Sequence, residues 1–129
     1  KLNPLESTVR GKRIVLIDDS IVRGHTMRKI VDRLRASGVA EIHVRIASPP
    51  VAYPCYFGID TPYRKELISS EGDIERVREH IGVDSLAFLS LEGLFEALEE
   101  SEDFCTGCFR GVYPMGAPRE QMKESRNGV

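Results

Sequence analysis

Two adjacent carboxylates, Asp18 and Asp19, followed closely by Ser20, Gly24 and Thr26, are the residues of this chain best suited to chemistry. Carboxylates offer hard oxygen atoms to hydroxyls or to a divalent cation. Hydroxyl side chains and a glycine-opened backbone just ahead of a helix offer O–H and N–H donors to phosphate. Together they outline a sugar-phosphate site. As an isolated pair, Asp18 and Asp19 could as well end a strand and cap a helix. What argues for a ligand is the whole string Ile14-Val15-Leu16-Ile17-Asp18-Asp19-Ser20-Ile21-Val22-Arg23-Gly24-His25-Thr26. It has neither the Gly-x-x-x-x-Gly-Lys-Ser/Thr spacing of a nucleotide-binding P-loop nor a Gly-x-Gly-x-x-Gly pattern.

The elements that must position these residues follow from apolar spacing. Four apolar β-formers, Ile14 to Ile17, predict a strand over Lys12–Asp18, covered on both faces in a parallel sheet. Ligands of such sheets sit beyond the carboxyl ends of the strands, where the aspartates fall. Met27, Ile30, Val31 and Leu34 predict a helix over Thr26–Ser37, stopped by Gly38. A second strand, Glu41–Ala47, carries Ile42, Val44 and Ile46 on one face, which completes a βαβ unit. Pro49, Pro50, Pro54 and Pro62 make Ser48–Pro62 a long loop. A second unit follows, with a helix opened by Asp73 and striped by Ile74, Val77 and Ile81, then a short buried strand Ser85–Leu89. Ser90 caps a last helix through about Glu99. The lead-in before Lys12 reads as extended. The run Glu96, Glu99, Glu100, Glu102, Asp103 reads as a solvated helix end, and the residues from Met115 as a fraying tail. The fold class is α/β, a mostly parallel sheet with flanking helices.

Composition narrows the function classes. A chain of 129 residues with 41% hydrophobic content is one domain's worth, or a piece of something larger. A formal net charge of −2, from 18 basic and 20 acidic residues interspersed, leaves no electrostatic footprint for nucleic acid or anionic membrane. Apolar runs fall far short of the roughly twenty residues that span a bilayer, and no signal peptide is present, so the cytoplasm is the expected compartment. The first residue is Lys, and Lys1-Leu2-Asn3-Pro4 reads as the end of a loop, so the chain is expected to be part of a longer protein.

Three cysteines, Cys55, Cys105 and Cys108, are an odd number, and Cys105-x-x-Cys108 brings two sulfurs within reach of one metal centre. Cys55 alone reads as a small buried hydrophobe. A Cys-x-x-Cys in a reducing compartment is more often a metal or redox element. Zinc, completed by His43 or His80, and iron–sulfur both fit the residues.

The thirteen-residue string closely resembles the phosphoribosyl pyrophosphate (PRPP) loop of type I phosphoribosyltransferases, and Asp18-Asp19-Ser20-Ile21-Val22-Arg23-Gly24 is similar to its form in the glutamine PRPP amidotransferases. Val44-Arg45-Ile46-Ala47-Ser48-Pro49-Pro50, Tyr53-Pro54-Cys55, Gly58-Ile59-Asp60, Ser85-Leu86-Ala87-Phe88-Leu89-Ser90 and Cys105-Thr106-Gly107-Cys108-Phe109 resemble that family too, in family order. The resemblance runs from about Lys1 to Pro114. His25 departs from it, standing where the family usually has a small polar residue, and Arg110 and Val112 vary as well.

The resemblance implies the C-terminal part of a type I phosphoribosyltransferase domain over residues 1–100, with the PRPP loop at 17–26, and a cysteine-bearing segment and tail over 101–129. A glutaminase domain with an N-terminal cysteine nucleophile would lie outside this chain. The implied reaction transfers glutamine-derived ammonia to PRPP, giving 5-phosphoribosylamine and pyrophosphate at the first step of purine synthesis. The implied PRPP contacts are Asp18, Asp19, Ser20, Ile21, Val22, Arg23, Gly24, His25 and Thr26, with Mg²⁺ at Asp18 and Asp19. Arg23 would either help neutralise phosphate or be an exposed structural arginine, and Lys1 would belong to the end of a mobile loop that closes over PRPP. Cys55, Cys105 and Cys108 would hold three corners of a [4Fe–4S] cluster whose fourth ligand lies outside the chain. Purine nucleotide inhibitors and a homo-oligomer are also implied, and this segment alone is expected to be inactive. The rivals are another phosphoribosyltransferase, which lacks the cysteine arrangement, a receiver-like signalling module needing Asp60 at a strand end, and a zinc-stapled binding module.

Overall fold

The computed structural model describes residues 6–61, 63–98 and 104–117. Lys1, the end of the acidic run and the tail beyond residue 117 lie outside them. A helical turn α1 (Glu6–Val9) precedes β1 (Arg13–Asp18), and α2 (His25–Ala36) leads to β2 (Glu41–Ile46). Beyond a long loop come α3 (Ile74–Ile81), β3 (Ser85–Phe88), α4 (Leu91–Leu98) and α5 (Gly107–Arg110). All three strands are parallel, in the order β1-β2-β3, with Leu16 opposite Val44 and Val44 opposite Leu86.

The helices follow their apolar stripes. Met27, Val31 and Leu34 of α2, with Ile81 of α3, bury against Ile42, Val44 and Ile46 of β2. Ile42, Val44 and Ile81 are fully buried, each stabilising the fold by about 1.5–3 kcal/mol through its removal from water. The punctuation is as the sequence predicts. Asp73 accepts a hydrogen bond from the Arg76 N–H at 3.0 Å, and Ser90 Oγ accepts one from the Gly93 N–H at 3.0 Å. Gly38 turns the chain after α2 with φ 81°. Asp84 Oδ2 accepts from the Ile42 N–H at 2.7 Å and from Arg35 at 2.6 Å, tying the start of β2 to the approach to β3.

Three sequence expectations fail, one of them the burial of β3, which lies at the other edge of the described sheet with Ala87 exposed and no residue fully buried. The lead-in is helical rather than extended at Glu6–Val9, a single turn too short for periodicity to reveal, held by an Arg10–Glu6 pair one turn apart. The third failure concerns β1, which is not covered on both faces. Ile14 and Leu16 pack on the core, whereas Val15 and Ile17 are 62% and 73% exposed. The physical reason is that α2 and α3 both pack against the same core face, and β1 is one edge of the described sheet. The open face also carries a polar chain in which Glu41 accepts from Arg13 at 2.7 Å and meets His43 Nε2 at 3.0 Å, while His43 Nδ1 lies 2.9 Å from Ser85 Oγ. The Arg13 hydrogen bond, then that of His43, holds the Glu41 carboxyl below its ordinary range.

Between Ala47 and Thr61 the described chain forms no helix or strand, as the prolines dictate. A short 3₁₀ turn, Arg64–Glu66, follows.

Candidate functional site

Asp18 is the last residue of β1, and its carbonyl accepts the Ala47 N–H at 2.9 Å, so the aspartate pair sits at the carboxyl end of the sheet. The chain then bends sharply. Ile21 is buried among the core residues and anchors the loop from below. Gly24 adopts φ 76° as the N-cap of α2, a left-handed conformation that suits glycine, and carries no side chain to cap the helix. The first N–H groups of a helix have no partner within it, so those of α2 are left to a ligand or water.

Asp18 through Met27 together line one open cavity of about 390 Å³. Within it Asp18 Oδ1 accepts the Asp19 N–H at 3.0 Å, and Asp19 Oδ1 accepts from Ser20 Oγ at 3.2 Å. These local bonds set the orientation of both carboxylates in the cavity lining. His25 is exposed at the first position of α2, so its ring meets solvent rather than the loop's packing. Arg23 finds a protein partner: its Nε and Nη2 donate to Glu66 Oε2 at 3.0 and 2.7 Å.

The cysteines lie elsewhere. The carbonyl of Cys108 accepts the N–H groups of both Ala52 and Tyr53 at 3.0 Å, which pins the Cys55 loop to α5. Tyr113 Oη donates to the Pro54 carbonyl at 2.7 Å. Thr61 is buried, and its Oγ1 accepts the Cys55 N–H at 2.8 Å. Burial, ahead of the charges of Cys55 and Cys105, pushes the Cys108 thiol up. Burial likewise raises the Tyr113 phenol, with Tyr56, Cys108 and Cys55 adding to it. Gly107 leaves no room for a side chain, since a Cβ there would lie 2.4 Å from the Tyr113 ring.

Among the described residues no three His, Cys, Asp or Glu side chains converge on a single ion, which holds for a zinc site and for the three cysteines alike, and His43 is engaged by Glu41 and Ser85. Asp60 is exposed on a bend, not at a strand end, so the receiver-like reading loses the residue it needs. Glu66 and Ile68 support the loop and carried no sequence signal, because they lie in a segment without periodicity.

The strand, aspartate pair, glycine-headed helix and cavity define a phosphoribosyltransferase-type domain. A family model, "Phosphoribosyl transferase domain", matches residues 2–48, the part that contains the loop. Similarity extends well beyond it. The chain is 52% identical over 127 residues to an amidophosphoribosyltransferase of Synechococcus elongatus, covering 98% of this chain and 26% of that protein. It is 51% identical over 121 residues to the amidophosphoribosyltransferase of Methanothermobacter thermautotrophicus, covering 93% of this chain and 26% of that protein. A Bacillus subtilis glutamine PRPP amidotransferase complexed with ADP and GMP superimposes with a TM-score of 0.78 at 48% identity, over 87% of this chain and 26% of that one. The structure of an allosteric regulatory enzyme of purine biosynthesis gives 0.83 at 44% identity, over 92% of this chain and 27% of that one. The chain belongs to the amidophosphoribosyltransferase family and spans about a quarter of the length of these relatives.

Proposed function

We propose that this chain is the sugar-phosphate end of an enzyme that transfers glutamine-derived ammonia to PRPP. The observation that carries the proposal is the one cavity lined by Asp18 through Met27, which brings together two carboxylates at the strand end and a helix start with no side-chain cap. Ser20 to Thr26 would hold the 5′-phosphate through backbone N–H groups and hydroxyls. Asp18 and Asp19 would bind the 2′ and 3′ hydroxyls. Their hard oxygen atoms in the cavity lining also fit Mg²⁺, which when bound neutralises charge on pyrophosphate.

The chemistry needs no protein nucleophile. The bond from ribose C1 to pyrophosphate breaks and its electron pair leaves on pyrophosphate. The ammonia lone pair forms the C–N bond, and nitrogen releases a proton. What the protein supplies is alignment of the ribose and a surface that replaces water around it.

Residues 1–100 are the corresponding part of the phosphoribosyltransferase domain, and 101–129 the cysteine-bearing segment with its tail. Glutamine hydrolysis belongs to a separate glutaminase domain of the whole protein. The free thiols of Cys55, Cys105 and Cys108 fit a [4Fe–4S] cluster completed by a ligand from elsewhere in the protein. Supporting this, the Cys108 carbonyl accepts the Ala52 and Tyr53 N–H groups, which holds the Cys55 loop against α5. The cluster's role is structural, cross-linking the Cys55 loop to α5 much as a disulfide would. Purine nucleotides are the expected inhibitors, by analogy with the ADP- and GMP-bound relative. The whole enzyme is expected to be a cytoplasmic homo-oligomer.

The test uses the full-length enzyme. Asp18→Asn or Asp19→Asn should lose about 1.5–3 kcal/mol of a charge-assisted contact, raising KM for PRPP by roughly one to two orders of magnitude while glutamine hydrolysis persists. Unchanged PRPP kinetics in both variants would refute the proposal.

A further inference from the structure

Three successive residues of the phosphate loop are held from outside by one short segment. The Val22 carbonyl accepts the Ile68 N–H at 2.9 Å. Arg23 donates twice to Glu66 Oε2. Gly24 rests on Ile68, whose Cδ1 would lie 2.5 Å from a Cβ at that position. The supporting segment is itself fixed, since Leu67 and Ser69 are buried and Arg64 Nη2 donates to the Ser70 carbonyl at 3.0 Å.

From this geometry we infer that Glu66 is a positioning residue for sugar-phosphate binding, acting through Arg23. The inference deepens the PRPP reading above and rests on it. An arginine with two donors on a carboxylate is largely neutralised and adds little net positive charge to the cavity. The phosphate is therefore held mainly by backbone N–H groups and the α2 start, whose direction matters more than their number. Glu66 fixes that direction from outside the cavity. Breaking the pair leaves the donors in place and lets the loop reorient.

The experiment measures pyrophosphate release by the full-length enzyme with PRPP, Mg²⁺ and ammonium, for the wild type, Glu66→Gln, Arg23→Gln and the double variant. Both side chains are more than a third exposed, 39% and 38%, which places the pair among modest surface pairs. Each single variant should accordingly raise KM for PRPP by about two- to fivefold, with kcat at saturating PRPP nearly unchanged. The double variant should match the singles rather than multiply them, because both remove the same contact. Glu66→Asp, which keeps the charge, should recover most of the loss.

An unchanged KM in Glu66→Gln, with an active wild type, overturns this inference alone. So does an Arg23→Gln loss above tenfold that persists undiminished in the Glu66→Gln background, since that result places Arg23 on the phosphate itself. If Glu66→Gln fails to fold, Arg23→Gln breaks the same pair from the other side and decides the matter by the same limits. A wild type that releases no pyrophosphate from PRPP removes the underlying reading and the inference with it.

Discussion

Gly24→Ala tests the loop geometry most directly. The backbone there has φ 76°, a region that costs an L-residue roughly 1–2 kcal/mol. The new methyl would also come within 2.5 Å of Ile68 Cδ1, so the isoleucine must move or the loop must lift. Overpacking of this kind costs about 1–3 kcal/mol. Alanine restricts the unfolded chain and returns about 0.4–1 kcal/mol. The net expectation is a loss of about 2–4 kcal/mol, read by urea denaturation of the full-length enzyme, together with a higher KM for PRPP. The two contributions separate in an Ile68→Val background, which lacks the obstructing Cδ1 atom. Ile68→Val alone should cost about 0.5–1.5 kcal/mol. Adding Gly24→Ala to it should then cost only the backbone share less the unfolded-chain return, about 0.5–1.5 kcal/mol. Two results would refute the reasoning: a Gly24→Ala variant within about 0.5 kcal/mol of wild type, or an undiminished loss in the Ile68→Val background.

Other expectations follow from the same geometry. The Ile42 N–H, ahead of the Arg35 pair, holds the Asp84 carboxyl below its ordinary value of 3.8, so the folded pKa lies below the unfolded one. The resulting stability is present above pH 3.8 and is lost as pH falls through the folded pKa. Asp84→Asn should lower neutral-pH stability by about 1 kcal/mol and flatten the acid limb of stability against pH, and a limb of unchanged slope would contradict this. Cys105→Ser should abolish the brown colour and the iron content, about four atoms per chain, of anaerobically purified enzyme, and stoichiometric zinc in place of iron would overturn the cluster. Ser69 Oγ is buried without a hydrogen-bond partner among the described residues. Ser69→Ala should therefore be neutral or stabilise by up to about 1 kcal/mol in thermal melts, and a clear loss would point to a partner for the hydroxyl.

What the sequence determined by itself was the local grammar. Apolar spacing placed β1, α2, β2, α3 and β3 within a residue or two, because periodicity is a property of neighbouring positions. Asp73, Ser90 and Gly38 announced their caps and stop for the same reason. The string from Asp18 to Thr26 also lines one cavity, since one strand end, one loop and one helix start build it from consecutive residues. Tertiary structure decided everything that depends on which distant surfaces meet. Ile14 to Ile17 all read as buried, yet only Ile14 and Leu16 found the helices, because the pattern of a single strand cannot say how many of its faces are covered. Arg23 has as its partner a glutamate forty-three positions away in an aperiodic loop, a pairing that no local pattern announces. The docking of the Cys55 loop on α5 likewise depends on Cys108 accepting the Ala52 and Tyr53 N–H groups, a contact between distant segments that no local spacing encodes.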